Sequence, residues 1–260
     1  MEEYFIFCIN LKKNLLRRKV MLEQLRSFNF TICEAIDHKD ISFTKDTFDN
    51  FKEYRSGHFS IHGHLFNFNI KSKEYYQIVK NNGHVGCTLS HLFYIKNAYD
   101  LKYENIIMLE DDISFKYINK WNHKFKSIIK NAPNDWTILK LHCSNYEIVK
   151  KYFKTEQYIN IPKDSVLFWS TGFYIINSKG MEYLIDKYFD SKSNTFHINE
   201  NFPVADYILY KIPGVYYYSI PLVKNNNIDY NFKSDILNRN VLTNLEKKGI
   251  NIVDDFYSST

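Results

Sequence analysis

The sequence predicts an α/β protein in which a mainly parallel sheet is flanked by helices. Residues 4–10 form an apolar run, residues 14–28 carry leucines at helical spacing, and residues 30–36 form a second apolar run. Strand, helix and strand in this order are typical of a βαβ unit with a right-handed crossover. Residues 106–109 form a short, wholly apolar run, which is typical of a parallel strand buried on both faces.

The rest of the chain up to residue 223 alternates between strand-like and helix-like segments. The predicted helices lie at residues 92–101, 121–130, 179–189 and 205–210. The predicted strands lie at residues 136–141 and 215–223, and residues 166–176 predict one or two buried strands broken near Gly172. Residues 39–82, where aromatic and polar residues alternate, predict a variable insertion or loop region with room for short strands or helices, and the polar residues 224–260 predict a C-terminal tail. We therefore expect a single domain over residues 1–223.

Composition and charge limit the class of protein. The chain has 260 residues, of which 45% are hydrophobic and 24% charged, as in ordinary globular proteins. Its net charge of +5 is spread along the sequence, so nucleic acid is not the expected partner. A mild positive charge suits a small anionic ligand such as a nucleotide diphosphate.

The N-terminus and the cysteines predict where the protein resides. The sequence begins Met1-Glu2-Glu3, which is acidic where a signal peptide is basic, and its longest apolar stretch, residues 166–176, is too short for a membrane span. Its four cysteines stand far apart without a C-x-x-C pair, which favours free thiols in a reducing compartment. We expect a cytoplasmic protein, soluble or attached peripherally to a membrane, with no signal peptide and no transmembrane segment.

Three consecutive acids, Glu110, Asp111 and Asp112, directly follow the apolar run at residues 106–109. Open α/β sheets bind their ligands at the carboxyl ends of strands. Adjacent carboxylates repel one another unless a cation or solvent relieves them, and hard oxygen ligands suit Mg²⁺ or Mn²⁺. The acids therefore indicate a metal site, and the alternative is a solvated acidic turn.

Missing motifs narrow the chemistry further. The sequence contains neither G-x-G-x-x-G nor G-x-x-x-x-G-K-[ST], so phosphate binding falls to a metal ion. A haloacid-dehalogenase-like phosphatase needs an aspartate where Glu110 stands, and a two-metal nuclease needs a basic surface. His58, His62 and His64 lack the cysteine or carboxylate that would complete a familiar zinc spacing, so a sugar or phosphate contact and a structural role both stay open.

A series of short motifs runs along the chain in a set order. They are Cys8-Ile9-Asn10-Leu11 with Arg17-Arg18 after it, Glu34-Ala35-Ile36-Asp37, Gly86-Cys87-Thr88-Leu89-Ser90-His91, Leu109-Glu110-Asp111-Asp112, Asp135-Trp136, Thr171-Gly172-Phe173-Tyr174, Val204-Ala205-Asp206 and Pro221-Leu222-Val223. This order resembles glycosyltransferase family 25, which includes lipooligosaccharide and procollagen galactosyltransferases. The resemblance implies a GT-A-like, Rossmann-type fold with a mixed, mostly parallel sheet flanked by helices.

The resemblance also implies roles for three of the acids. A divalent ion, Mn²⁺ or Mg²⁺, held by Glu110 and Asp112 would neutralise the departing nucleotide diphosphate. The family is regarded as inverting, so a carboxylate should take the proton from the acceptor hydroxyl, and Asp206 is the candidate for this catalytic base. The alternative for Asp206 is a carboxylate that stabilises the N-terminus of a helix.

A binding site for the donor nucleotide-sugar is implied at the first two strands. Asn10 and Leu11 would present backbone groups to the base, and Asp37 would accept a hydrogen bond from the base or the ribose. Arg17 or Arg18 would reach ribose or phosphate, with a plain surface charge on the helix as the alternative.

More donor contacts are implied by the later motifs. Gly86, Ser90 and His91 would lie at the start of a helix, beside phosphate or sugar oxygens. The alternative for His91 is a histidine that only packs. Asp111 stays open between the metal, a sugar hydroxyl and a structural hydrogen bond.

These inferences predict a metal-dependent inverting glycosyltransferase. The donor would be UDP-galactose or UDP-glucose, and the acceptor a glycan, a lipooligosaccharide or a hydroxylysine of a collagen-like glycoprotein. The first alternative is a catalytically degenerate GT-A-fold protein that binds or scaffolds in glycan assembly. The second alternative is a metal-dependent phosphohydrolase.

Overall fold

The computed structural model describes residues 4–41, 43–47, 53–61, 64–70, 83–122, 124–153, 157–163, 165, 167–200, 204–225 and 253–258. The helices in these ranges are α1 (Leu15–Leu25), α2 (Gly83–Asp100), α3 (Phe125–Lys130), α4 (Tyr146–Tyr152), α5 (Ser178–Tyr188) and α6 (Ala205–Leu209), with a further helix at residues 253–258. In the part of the chain so described, no helix combines the length and the apolar character that crossing a membrane requires.

The strands make up three sheets in the described ranges. They are β1 (Phe5–Asn10), β2 (Phe30–Glu34), β3 (Phe43–Thr47), β4 (Glu53–Ile61), β5 (His64–Ile70), β6 (Asn105–Glu110), β7 (Ile113–Ser114), β8 (Ile138–Lys140), β9 (Tyr158–Asn160), β10 (Phe173–Asn177), β11 (Phe189–Asp190), β12 (Thr195–Ile198), β13 (Val215–Tyr218) and β14 (Lys224–Asn225).

The largest sheet has seven strands in the order β2-β1-β6-β10-β8-β13-β9. Strands β2, β1 and β6 are parallel, as are β8 and β13, whereas β10 and β9 run antiparallel to their neighbours. Because β10 is antiparallel to both β6 and β8, five of the seven strands share one direction. The predicted fold class, a mixed and mostly parallel sheet flanked by helices, is confirmed.

The central strands are buried on both faces, as the apolar run at residues 106–109 predicts. Phe7 and Ile9 of β1 belong to one buried cluster, which also contains the inward faces of α2 and α5. Ile6 and Cys8 belong to a second cluster on the opposite face, beneath α1 and α3. Alternate residues of one strand therefore fill two cores, which is the expected result of the period-two geometry of a strand.

One helix boundary differs from the sequence-based expectation, because α2 begins at Gly83, three residues before the motif at residues 86–91. The predicted break near Gly172 is confirmed, since strand β10 begins only at Phe173 and Ser170 adopts a positive φ of 93° that interrupts an extended strand. The break matters for function, since it leaves a turn at residues 170–172 beside the acidic motif.

A second sheet of five strands contains part of the predicted insertion region. Its order is β11-β12-β5-β4-β3, and β3, β4 and β5 pair antiparallel in succession. Strand β5 pairs in parallel with β12, which follows α5 in the chain. Hydrogen bonding between distant segments thus ties residues 64–70 to residues 195–198.

The chain beyond residue 223 contacts the segment that follows the acidic motif. Strand β14 pairs with β7, which starts immediately after Asp112. In the helix at residues 253–258, the Tyr257 ring stacks on Tyr117 at 4.6 Å between centroids, and its hydroxyl donates to the Pro221 carbonyl at 2.7 Å. These contacts pack residues 224–225 and 253–258 against the segment that follows the acids.

Gly214 provides a stability prediction. It has a φ of +74°, and a Cβ placed there would lie 2.1 Å from the carbonyl oxygen of Asp135. Gly214→Ala is therefore expected to lower the free energy of unfolding by about 2–4 kcal/mol, since the strain of a left-handed residue adds to a backbone clash. Urea denaturation measures this. Lys102→Gly is the control, because Lys102 is exposed with a φ of 60°, so glycine relieves strain there and gives up only the contact of the ammonium with the Tyr99 ring. Equal stability of Gly214→Ala and the wild type would contradict the prediction.

Candidate active site

The acidic motif lies where the carboxyl ends of β1 and β6 meet the start of β10. Asn10 is the last residue of β1 and Glu110 the last residue of β6. Strand β10 runs the opposite way, so the turn that precedes it reaches the same edge, and the Glu110 N–H donates to the Gly172 carbonyl at 3.0 Å. This edge of the sheet is where open α/β folds place their ligands.

Asp111 is held by two side chains of the first βα segment. Arg17 Nη1 donates to Asp111 Oδ1 at 2.8 Å, and Asn10 Nδ2 donates to Asp111 Oδ2 at 2.7 Å. All three residues are at most 9% exposed. Both carboxylate oxygens therefore already have partners, and among the roles left open for Asp111 the geometry favours the structural hydrogen bond.

Glu110 receives hydrogen bonds on its Oε1 atom. Thr171 Oγ1 donates to it at 2.6 Å, His91 Nε2 lies 3.3 Å away and Cys87 Sγ 3.9 Å away. The other ring nitrogen of His91 is 2.8 Å from the Tyr174 hydroxyl, which fixes the ring. Burial opposes ionisation, but the hydrogen bonds from His91 and Thr171 outweigh it and lower the pKa of Glu110. Glu110 is thus a preorganised anion.

Asp112 and Asp111 both differ from Glu110 in their electrostatics, because burial raises the pKa of each. Burial, followed by repulsion from Glu110 and Asp111, raises the pKa of Asp112 to about 7, and the charge of Arg17 only partly opposes this. At neutral pH Asp112 is therefore only partly ionised, and a cation beside it would favour the ionised form.

Asp206 lies in the first turn of α6. Burial raises the pKa of Asp206 to about 6, while the nearby charge of Lys140 and a backbone hydrogen bond from Ser170 oppose the shift. Its Oδ1 atom is buried and has no hydrogen-bond partner. The charge of Glu110 also acts on Asp206, so the two carboxylates belong to one electrostatic site.

The turn at residues 170–172 joins these groups. The Ser170 hydroxyl lies 2.8 Å from Nδ1 of His142 and accepts from the Gly172 N–H at 3.0 Å. Burial and the charge of Lys140 lower the pKa of His142 to about 3, so its ring is neutral. A Cβ at Gly172 would lie 2.9 Å from Ile113 and 3.0 Å from the Ser170 hydroxyl, so the turn tolerates no larger residue there without a shift.

The predicted donor contacts on the first two strands lie at the same edge. Leu11 directly follows β1, and its carbonyl accepts from the Asn14 N–H at 2.8 Å. Arg18 is partly buried on α1, and its charge acts on the buried Cys8. Asp37 forms an ion pair with Lys13 at 3.0 Å. Arg17 faces Asp111 and is therefore not the plain surface charge that was the alternative for it.

The prediction that Ser90 and His91 start a helix is wrong, whereas Gly86 does lie in the first turn of α2. Ser90 and His91 lie beyond that turn, where the backbone N–H groups bond within the helix. Ser90 is fully buried, with its hydroxyl donating to the Gly86 carbonyl at 2.6 Å and accepting from the Ile36 N–H at 2.8 Å. Ser90 and Gly86 therefore join α2 to the chain after β2, whereas His91 reaches the acidic motif.

The donor atoms at the site fit an oxygen-preferring cation. Glu110 and Asp112 supply hard carboxylate oxygens, and the raised pKa of Asp112 marks the charge that a cation would relieve. The ligand atoms of Cys87, His91 and Glu110 also lie within 4.8 Å of one another. Burial and then Glu110 raise the pKa of the Cys87 thiol well above its usual range, which makes it a poor ligand for Mn²⁺ or Mg²⁺. The side chains of His58, His62 and His64 lie outside the described part of the structure.

Several residues of the site carry no signal that sequence reasoning used. Lys140 and His142 follow an apolar run that predicts only a buried strand, and Ser170 precedes a motif without belonging to it. A lysine and a histidine two residues apart on one face at the end of an apolar strand are a usable signal, since buried charged residues mark functional sites.

The comparisons with known proteins agree with the motifs. The family model described as glycosyltransferase family 25 (LPS biosynthesis protein) matches residues 3–204. Procollagen galactosyltransferase 2 of Homo sapiens and of Mus musculus are each 25% identical to this chain over 188 residues, which are 69% of this chain and 27% of each relative. The chain therefore spans about a quarter of the length of these relatives.

Among solved structures, the chain is similar to a glycosyltransferase involved in the glycosylation of the major capsid of PBCV-1. The TM-score is 0.30 and the identity 11%, over 69% of this chain and 62% of that chain. A likeness of this size carries no argument about activity. The family match, in contrast, covers well over half of the 260 residues and contains the whole acidic motif. The chain belongs to glycosyltransferase family 25.

Proposed function

We propose that this chain is a metal-dependent inverting glycosyltransferase that transfers galactose or glucose from a UDP-sugar to an acceptor hydroxyl. The observation that carries the proposal is the position of the acidic motif at the ligand-binding edge of the sheet, where Thr171 and His91 hold Glu110 beside Asp112. Family 25 membership supports the same class of reaction.

Glu110 and Asp112 are the residues that would hold Mn²⁺ or Mg²⁺ here. The bound cation would supply neutralisation of the charge that develops on the departing diphosphate. The chain's own contribution is the geometry of the two carboxylates: Thr171 and His91 orient Glu110, while Arg17 and Asn10 fix Asp111 and with it the backbone that presents Asp112.

Asp206 is the residue that would remove the proton from the acceptor hydroxyl. A general base works best with a pKa near or below the working pH, and about 6 meets this condition at neutral pH. Its Oδ1 atom is buried and has no hydrogen-bond partner, so its capacity to accept a hydrogen bond is unused. Inversion follows if the deprotonated oxygen attacks from the face opposite the departing diphosphate.

The acceptor is proposed by class only. The relatives that match this chain are named procollagen galactosyltransferases, and the family description names LPS biosynthesis. Both acceptor classes, a hydroxylysine of a collagen-like protein and a saccharide hydroxyl of a lipooligosaccharide or other glycan, offer a hydroxyl that a carboxylate base can deprotonate.

The test is UDP release from a panel of UDP-sugars, with water as the acceptor and with Mn²⁺, Mg²⁺ or EDTA present. We expect release from UDP-galactose or UDP-glucose with a divalent ion and at least about a hundredfold less with EDTA, since the metal contributes several kcal/mol at the transition state. GDP- and CMP-sugars are the matched controls. UDP binding without release from any sugar would instead support the scaffold alternative, and release of inorganic phosphate from simple esters would support a phosphohydrolase.

A further inference from the structure

Lys140 is a buried lysine beside the proposed catalytic base. It is the last residue of β8, and its side chain is 0% exposed. Burial lowers the pKa of Lys140, and the charges of Asp206 and Glu110 oppose this. An isolated buried ammonium is energetically unfavourable, so Lys140 needs partners, and these partners indicate its role.

The ammonium of Lys140 binds two groups from different segments. It donates to the Ser170 carbonyl and lies 3.3 Å from the Tyr210 hydroxyl. The Tyr210 hydroxyl donates to the same Ser170 carbonyl at 2.9 Å, and the Tyr210 ring lies 4.5 Å from the ammonium. Lys140 therefore joins β8, the turn at residues 170–172 and the end of α6.

Both partners of Lys140 also hold Asp206. The Ser170 backbone forms a hydrogen bond with the Asp206 carboxylate, in which the N–H must be the donor because a carboxylate only accepts. The Tyr210 N–H donates to the Asp206 carbonyl at 3.1 Å, which closes the helical turn that carries the acid. The carbonyl side of Ser170 thus faces Lys140, and its N–H side faces Asp206.

The conformation of Ser170 gives this arrangement its importance. A φ of 93° is unfavourable for a residue with a side chain and persists only where the surroundings impose it. The hydrogen bonds that Lys140 and Tyr210 donate to the Ser170 carbonyl help to hold this conformation. The carbonyl and the N–H of Ser170 belong to successive peptides that share its Cα, so a shift of the carbonyl changes the direction of the N–H through the φ and ψ of Ser170. The peptide that presents the N–H is also held by its Trp169 carbonyl, which accepts from the Ser144 N–H at 3.3 Å.

We propose that Lys140 is a positioning residue, which orients the Asp206 carboxylate through the Ser170 turn and Tyr210 without touching the substrate. The inference rests on the proposed function and adds a residue to its site. Packing alone would explain a buried lysine, but it would not require one ammonium to meet both segments that hold the base. Misplacing a catalytic group by about 1 Å costs up to about a hundredfold in rate.

The experiment measures kcat and KM for UDP release with water as the acceptor, in Lys140→Met and Lys96→Met. Lys96 is the matched control, because it is also a buried lysine over an aromatic ring, with Phe189 at 4.4 Å and Asp100 as its partner. We expect Lys140→Met to lower kcat by about tenfold to a hundredfold and to leave the donor KM within about twofold. Lys96→Met should keep both values, although both variants melt earlier.

A structural role for Lys140 predicts that its kcat stays within about threefold of Lys96→Met, and that result would overturn the proposal. If Lys140→Met does not fold, Tyr210→Phe decides, because it removes only the hydroxyl that donates to Ser170. A lower kcat at constant KM in Tyr210→Phe supports the proposal, and an unchanged kcat overturns it. An inactive wild type would instead refute the proposed function, and this inference with it.

Discussion

Asp112→Asn is expected to abolish UDP release while making the metal-free protein more stable. The substitution removes one of the two carboxylates that would hold the cation, so kcat/KM should fall by about a hundredfold to ten-thousandfold. It also removes the charge that burial and the two neighbouring acids destabilise. Substitution of a purely structural residue would lower both activity and stability. A loss of activity together with a gain in stability therefore identifies Asp112 as a functional residue whose charge destabilises the fold.

The pH dependence of stability shows why Asp112→Asn should raise the free energy of unfolding. The pKa of Asp112 rises from the ordinary 3.8 to about 7 on folding. Between these two pH values the folded state binds more protons at Asp112 than the unfolded state, so the free energy of unfolding falls as pH rises from about 4 to about 7. Above pH 7 the full cost is present, and after allowance for solvent screening Asp112→Asn should recover about 1–2 kcal/mol there.

Thermal melts at pH 5 and pH 8 in EDTA test the stability half of the prediction. The variant should melt roughly 2–6 °C above the wild type at pH 8, and the gap should narrow at pH 5. Titration with Mn²⁺, followed by calorimetry, should show binding to the wild type and none to the variant. Asp186→Asn is the control, because Asp186 is an exposed acid on α5. A variant that melts lower than the wild type at both pH values would contradict the account.

The part of this molecule that sequence predicts well depends on local patterns. An apolar run and its following acids are contiguous, so β6 and the acidic motif can be read directly from residues 106–112. Six of the seven strands of the main sheet follow from the same kind of pattern, and the handedness rule applies to the first βαβ unit. Strand β9 lies in a segment that the sequence predicts as a polar connection. These features depend on hydrophobic burial, which requires apolar residues at regular spacing in the sequence.

The choices that sequence leaves open are decided by contacts between distant residues. The role of Asp111 depends on Arg17, which stands 94 positions earlier, and the role of Lys140 depends on Tyr210, which stands 70 positions later. No local period encodes such pairs. The error at Ser90 and His91 has a different cause, because no capping residue in the motif at residues 86–91 marks where α2 begins, and helix ends are the least predictable boundaries.

The second sheet illustrates a third limit. Residues 53–70 alternate between aromatic and polar residues, but β3, β4 and β5 pair only with one another until β5 meets a parallel partner. That partner is β12, whose residues 195–198 lie after the whole central part of the main sheet. A strand that depends on so distant a partner has a weak signal in its own segment.

Asp206→Asn is expected to lower kcat for UDP release by about a hundredfold to ten-thousandfold, with the donor KM and Mn²⁺ binding unchanged. Asparagine has nearly the same shape, so it keeps the first turn of α6 but cannot accept a proton. If Asp206 only stabilised this helix end, the variant would melt earlier and keep its kcat, and the role as base would be wrong.

The pH profile of the wild type tests the same assignment of Asp206 as the catalytic base. A base acts only when deprotonated, and the pKa of Asp206 is raised to about 6, so kcat should rise with pH through about 6 and then level off. Asp206→Asn should lose this acid limb along with most of its activity. A wild-type profile that is flat between pH 5 and pH 8 would argue against a base with this pKa.

Azide separates the base from the metal ligands. As an anion it needs no proton removed, so it should attack the donor sugar without help from Asp206 and restore UDP release in Asp206→Asn, with a glycosyl azide of inverted configuration as the product. It should not restore Asp112→Asn, because a better nucleophile does nothing for the charge on the departing diphosphate. The assignment requires rescue of the first variant and not of the second. Rescue of both variants, or of neither, would contradict the assignment of Asp206 to the nucleophile and of Asp112 to the leaving group.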